Sequence, residues 1–130
     1  GANLAGLGRA GVRGRVVEGD WFGALPDELA GTLDLVVSNP PYVADRAVLP
    51  PEVSDHEPAV ALRAGPDGTD ALSRIIGGAT DWLAPTGALV LELDPAQATA
   101  MAERAVVAGF GDIEVHPDLT GRARVLVART

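Results

Sequence analysis

Apolar residues recur along this chain with two periods, and the alternation of those periods predicts an α/β layered domain. The β-branched runs Arg15-Val16-Val17-Glu18 and Leu33-Asp34-Leu35-Val36-Val37 read as strands, the second of them buried and stopped by two prolines. From Thr69 or Asp70 as N-cap, Leu72, Ile75, Ile76, Ala79 and Leu83 return at helical spacing until Pro85 and Gly87 close the element. Gly77 and Gly78 cost this helix about 1 kcal/mol each relative to alanine, so packing must hold that turn. Residues 88–93 form the next strand. Asp94 as N-cap and Pro95 at the first helical position open a second helix with Ala98, Met101, Ala102, Ala105 and Val106 on its inner face and Gly109 as its stop. Residues 112–116 and 123–128 are two further strands. The connection between them is too short for a crossover, so they are antiparallel and the last strand reverses.

Two stretches lack a period. Residues 2–7 suit the last turn or two of a helix that stops at Gly8 and Gly11, so the chain reads as beginning inside an element. Residues 43–68 carry Pro50, Pro51, Pro58 and Pro66 together with several acids. An irregular run of that length beside a candidate site reads as a substrate-contacting flap. Within it His56 reads as a surface loop histidine and Glu57-Pro58 as a loop-shaping pair.

With 130 residues the chain suits a single domain with one core. Apolar runs fall well short of the roughly 20 residues that span a bilayer, and the first residues lack a signal-peptide pattern, which suggests a soluble, cytoplasmic protein with no membrane partner. There is no cysteine and the two histidines lie far apart, so neither a thiol nucleophile nor a metal site is expected. The net charge of −8, with all ten basic residues arginine, disfavours nucleic acid, whose binding depends on neutralising phosphates. A basic protein partner suits it better. Oligomeric state is not legible.

The chemistry lies in Ser38-Asn39-Pro40-Pro41-Tyr42, directly after the buried strand, where open α/β sheets place their ligands. Asn39 and Pro40 each precede a proline and are pushed to extended geometry, and neither proline has an N–H. The loop is stiff and rich in acceptors. The Asn39 side-chain carbonyl and the Pro40 backbone carbonyl suit the two hydrogens of a planar –NH2 group, with Tyr42 covering its flat face. Such a grip orients a weakly nucleophilic nitrogen and stabilises the positive charge that grows on it. The alternative is a proline-stiffened strand end with a turn asparagine. Asp20 and Trp21, leaving the first strand, read on local sequence as a capping residue and an ordinary core aromatic, although a ligand role fits a strand end. Glu92 and Asp94 straddle another strand end, where capping is the simpler account.

These motifs resemble the HemK/PrmC family of S-adenosylmethionine-dependent methyltransferases, which modify the glutamine of the Gly-Gly-Gln motif in class I peptide release factors. The matching residues are Gly19-Asp20-Trp21-Phe22, Asp34 through Val43 with Asn39-Pro40-Pro41-Tyr42, Glu57-Pro58 with Ala61-Leu62, Gly65 with Asp67-Gly68, Leu83 with Gly87, Leu91-Glu92, Gln97, and Asp118-Leu119-Thr120-Gly121-Arg122 with Arg124-Val125. Asn-Pro-Pro-Tyr is shared with adenine-N6 DNA and several RNA methyltransferases and specifies only amino-group methylation; the downstream matches make the resemblance specific. Departures are Asp94, where the family usually has glycine, and Ala123, where it often has aspartate.

The resemblance implies a Rossmann-like class I methyltransferase fold, truncated at its amino terminus, with a mixed sheet and an antiparallel last strand. It implies that Asn39 and Pro40 are catalytic, that Asn39, Pro40, Pro41 and Tyr42 bind the substrate amide, and that Asp20, Trp21 and Asn39 bind S-adenosylmethionine. The family's glycine-rich cofactor loop, its ribose-binding acid and its helical domain would all precede Gly1. Residues 15–18 would then lack their sheet neighbour and have to detach or pair elsewhere, while the strands at Leu33, Ala88, Ala123 and Asp112 pair into a smaller sheet. Rival readings are a ribosomal-protein glutamine methyltransferase, an adenine-N6 methyltransferase and an inactive fragment of the fold.

Overall fold

The computed structural model describes residue 6, residues 8–40 and residues 69–130. Pro41, Tyr42 and the expected flap at residues 43–68 lie outside the described residues, as does most of the expected helix end at residues 2–7. The regular elements are β1 (Leu33–Ser38), α1 (Asp70–Trp82), β2 (Leu83–Glu92), α2 (Ala98–Ala108), β3 (Asp112–Pro117) and β4 (Ala123–Arg129). They form one four-stranded sheet in the order β1-β2-β4-β3. β1 and β2 are parallel, and β4 runs antiparallel to both its neighbours. The four strands expected to make a smaller sheet do so.

Hydrophobic periodicity explains the layering. Leu72, Ile75, Ile76 and Ala79 of α1 and Ala98, Met101 and Ala105 of α2 meet Leu89, Leu91 and Leu93 and also Leu126 and Ala128 in a single core. Both helices therefore cover one face of the sheet. In the register, Val36 pairs with Leu89 on the covered face, and Val37 with Val90 on the other. That other face leaves Leu35 56% and Val37 66% exposed.

Three details depart from the sequence reading. The local strand reading of residues 15–18 fails in the way expected of a run without its sheet neighbour: residues 14–18 form no strand and are exposed, Val16 at 63%. β1 is an edge of the sheet with no described strand beyond it, and a lone run of four residues has no ladder to offset the cost of its ordering. Val106 is 63% exposed rather than on the inner face of α2, and Phe110, just past the helix, is buried instead. The Phe110 amide reaches the Ala105 carbonyl and the Gly109 amide the Val106 carbonyl, a Schellman closure that turns the chain inward one step beyond Val106. β2, finally, starts at Leu83 rather than Ala88, immediately after α1.

Asp94 behaves as a cap. Its carboxylate accepts the Ala96 amide at 2.9 Å while the Gln97 side chain accepts the Asp94 amide at 3.1 Å, a reciprocal capping box that opens the Pro95–Gln97 3-10 turn leading into α2.

The β1–β2 pairing shifts register between Leu33 and Leu35, which face Leu83 and Ala88 of β2. Gly87 is buried in that shift, and a Cβ there would lie 2.8 Å from the Leu33 carbonyl oxygen, 3.0 Å from the Ala84 oxygen and 3.0 Å from the Leu83 Cβ. Two of those atoms are backbone and cannot move aside cheaply. Gly87→Ala is therefore expected to destabilise the chain by about 1–3 kcal/mol, the usual cost of overpacking, in urea unfolding. A stabilised variant would mean that β1 does not close on β2 in this register.

Candidate functional site

The parallel pairing carries β1 to the carboxyl rim of the sheet, where Ser38 stands opposite Leu91 and the chain leaves the ladder. Asn39 follows with an exposed side chain, and Pro40 is buried. A proline that cannot donate to a ladder terminates the strand, and its burial anchors the exposed asparagine from the far side.

The other half of the site comes from the segment ahead of β1. Trp21–Ala24 is a single 3-10 turn, and Trp21 itself sits in the left-handed region at φ 51, an uncommon conformation for a bulky residue. What holds this segment is Phe22. Its ring stacks on Trp82 with centroids 6.2 Å apart and planes 12° from parallel. It also lies against Gly78, where a Cβ would fall 2.8 Å from Cδ2 and 3.0 Å from Cε2 of the ring. The glycine that weakens α1 as a helix is thus the seat of the aromatic ring that docks the segment.

Between the two halves is a mainly apolar cleft of about 220 Å³, lined by Trp21, Phe22 and Leu25 from the segment, Val36, Val37 and Ser38 from β1, and Ile75 from α1. Trp21 and the strand end that precedes Asn39 therefore share one cavity wall. Asp20, next to Trp21, has a side chain 80% exposed. Arg74 of α1 reaches over both: its Nη2 is 3.5 Å from the Asp20 carboxylate, and its guanidinium carbon lies 5.5 Å from the centre of the Trp21 ring. This cation–π contact and long, exposed ion pair orient the corner rather than stabilise the fold. Of the residues expected at the site, Asp20, Trp21, Asn39 and Pro40 are described and flank this cleft or adjoin its walls; Pro41 and Tyr42 are outside the described residues. Arg74, Ile75 and the Phe22–Gly78 contact carried no signal in the sequence beyond their helical positions. Among the described residues no group of three or more acidic or histidine side chains is arranged to hold a metal ion.

A second motif lies at the same rim. β3 runs parallel to β1 and β2, so the turn between β3 and β4 also projects from the carboxyl ends of the parallel strands. There the Asp118 carboxylate accepts the Thr120 hydroxyl at 2.6 Å, the Thr120 amide at 2.8 Å and the Arg122 amide at 3.2 Å, with Arg124 at 3.6 Å. The Thr120 hydroxyl bond, reinforced by the two amides and by Arg122 against an opposing effect of burial, holds the carboxyl at about 2.

The chain matches no protein-family model. Its backbone resembles a solved methyltransferase, the E. cuniculi Mtq2–Trm112 complex responsible for methylation of the eRF1 translation termination factor, with a TM-score of 0.61 and 24% identity over 91% of this chain and 63% of that one. The fold is therefore that of a Rossmann-like methyltransferase. In sequence the chain is 44% identical over 129 residues to the release factor glutamine methyltransferase of Cereibacter sphaeroides and 45% identical over 130 residues to that of Deinococcus radiodurans. These matches cover 98% of this chain but 45% and 43% of the relatives, so the homology to release factor glutamine methyltransferases is close and extends over less than half of their length.

Because the folded Asp118 titrates below an ordinary carboxyl, the turn gains stability that is fully present above the usual carboxylate range and is lost progressively as pH falls from that range to about 2. The amide resonances of Thr120 and Arg122 are expected to titrate together with a midpoint near that value. A midpoint near pH 4 would show that the carboxylate does not brace the turn.

Proposed function

We propose that this chain supplies the substrate-amide side, and one wall of the cofactor side, of a methyltransferase acting on the side-chain amide of the glutamine in the Gly-Gly-Gln motif of class I release factors. The observation that carries the reading is the placement of Asn39-Pro40 at the rim of the parallel strands beside a cleft walled by Trp21, within a chain homologous to enzymes of that name.

The relatives' activity implies S-adenosylmethionine, which when bound supplies an electrophilic methyl group on a sulfonium. The described residues suit one end of it. An apolar cleft of about 220 Å³ beside a tryptophan face accommodates a planar heteroaromatic ring, and the neighbouring Asp20 carboxylate offers an acceptor to its polar edge. Asn39, next to the Ser38 wall of the cleft, would face the end that carries the methyl. The matched segment is under half the length of these relatives, so cofactor binding as a whole is assigned to the full-length enzyme.

Asn39 and Pro40 act on the amide. The Asn39 Oδ1 and the Pro40 carbonyl oxygen each accept one hydrogen of the glutamine –NH2, which fixes the nitrogen's position and turns its lone pair toward the cofactor side. As the new N–C bond forms, the nitrogen becomes positive and its hydrogens more acidic, so both hydrogen bonds strengthen in the transition state and selectively lower the barrier. Transfer would break the sulfonium's S–CH3 bond and leave a neutral thioether, and one of those hydrogens would pass to water as a proton, giving the N5-methyl amide. Tyr42 is assigned to cover the amide face and Pro41 to stiffen the loop. The protein substrate is favoured over a nucleic acid by the charge of −8.

The test is a chimera in which these 130 residues replace the matching segment of the Deinococcus radiodurans relative. It is expected to bind S-adenosylmethionine in calorimetry and to methylate a release factor but neither single- nor double-stranded DNA. In it, Asn39→Ala should lower turnover at saturating cofactor by about two to three orders of magnitude with cofactor affinity little changed. Intact turnover with weakened cofactor binding would remove Asn39 from the reaction, and methyl transfer to DNA at a comparable rate would overturn the substrate class.

A further inference from the structure

Leu119 sits at the tip of the β3–β4 turn with its side chain fully exposed, at 108%. Single exposed apolar residues are common and usually mean nothing. Leu119 differs in its support and its place. The turn beneath it is closed by the Asp118 amide on the Arg122 carbonyl at 2.8 Å and the Gly121 amide on the Asp118 carbonyl at 3.0 Å, in addition to the three bonds to the Asp118 carboxylate. The Arg122 Nε is bound to the Thr120 hydroxyl at 3.1 Å, so even the long side chain at the base of the tip is tied down. Turn tips are ordinarily polar, and here the polar groups are spent on one another while the apolar one is held out to solvent. Such an arrangement loses little entropy when Leu119 is covered.

The tip also shares a rim with the candidate site. With the order β1-β2-β4-β3 and strands spaced about 4.8 Å, the β3–β4 turn lies roughly 10–15 Å across the sheet end from Asn39. An extended polypeptide covers that span in about four residues. We propose that Leu119 is a docking residue for the protein substrate, engaging the polypeptide a few residues from the glutamine whose amide is held at Asn39. This rests on the function proposed above. The occupant is a polypeptide because a leucine offers nothing to phosphates, and the neighbouring Asp118 carboxylate is kept ionised at ordinary pH by its hydrogen bonds. Arg122, with a side chain 64% exposed, gives the contact a polar rim.

The experiment is a titration of a class I release factor into the 130-residue chain, followed by interferometry, with Leu119→Asp and Leu119→Met variants whose folding is checked by circular dichroism and urea midpoint. The wild-type chain is expected to bind, Leu119→Asp to bind about tenfold more weakly or worse, and Leu119→Met to retain the affinity. In the chimera the same Leu119→Asp change should raise KM for the release factor while leaving kcat and cofactor affinity near wild type. Equal binding and equal KM for Leu119→Asp, or no binding by the wild-type chain, overturns the docking role and leaves the methyl-transfer reading standing if the chimera is active. Leu119-dependent binding with an inactive chimera supports the docking role and removes the methyl-transfer reading.

Discussion

Both halves of the candidate site lean on one helix. Phe22 rests on Gly78 and Trp82 of α1, Arg74 of α1 spans Asp20 and Trp21, and Ile75 of α1 floors the cleft beneath β1. The segment ahead of β1 has no strand of its own, so the aromatic contact, together with the Arg74 bridge, keeps Trp21 against the sheet rim. The absence of a side chain at Gly78 is what admits the ring. A helix that is locally weak by propensity is thereby held by tertiary packing, the usual source of helix stability in a folded domain.

The sheet supplies the second fixed point. Parallel pairing of β1 with β2 puts Asn39 at the carboxyl rim, and the reversal at β4 returns the β3–β4 turn to the same rim. α1 and α2 cover one face of this sheet, whereas Leu35 and Val37 on the other are exposed. Among the described residues the sheet is covered on one face, and the candidate site features gather at one end, where strand-end loops are free to vary without disturbing the core.

Much of this was legible because pattern and chemistry agree locally. The periodicity of Leu72, Ile75, Ile76 and Ala79 gave α1 its buried face, the Asp94–Pro95 start predicted the cap before α2, and the proline stop after Val37 located the strand end bearing Asn39. The misses have physical causes. Arg15 to Glu18 has strand-forming residues, but a strand exists only with a partner, and partner availability is not a local property. Val106 was placed inward by a count of 3.6, whereas the helix closure after it turned Phe110 into that space. Gly78 looked like a flaw because a close approach by an aromatic ring far away in sequence leaves no local trace.

The seating of Phe22 on α1 is the contact on which the assembled cleft depends, and nuclear magnetic resonance reads it directly. A ring whose carbons lie against Gly78 should displace the Gly78 α-proton resonances by its ring current and give strong Overhauser contacts from the Phe22 ring to Gly78 and to Trp82. Phe22→Ala should abolish both and leave the α2 core resonances in place. Gly78 α-protons at ordinary shifts, with no contact to Phe22, would contradict the arrangement of the site on α1.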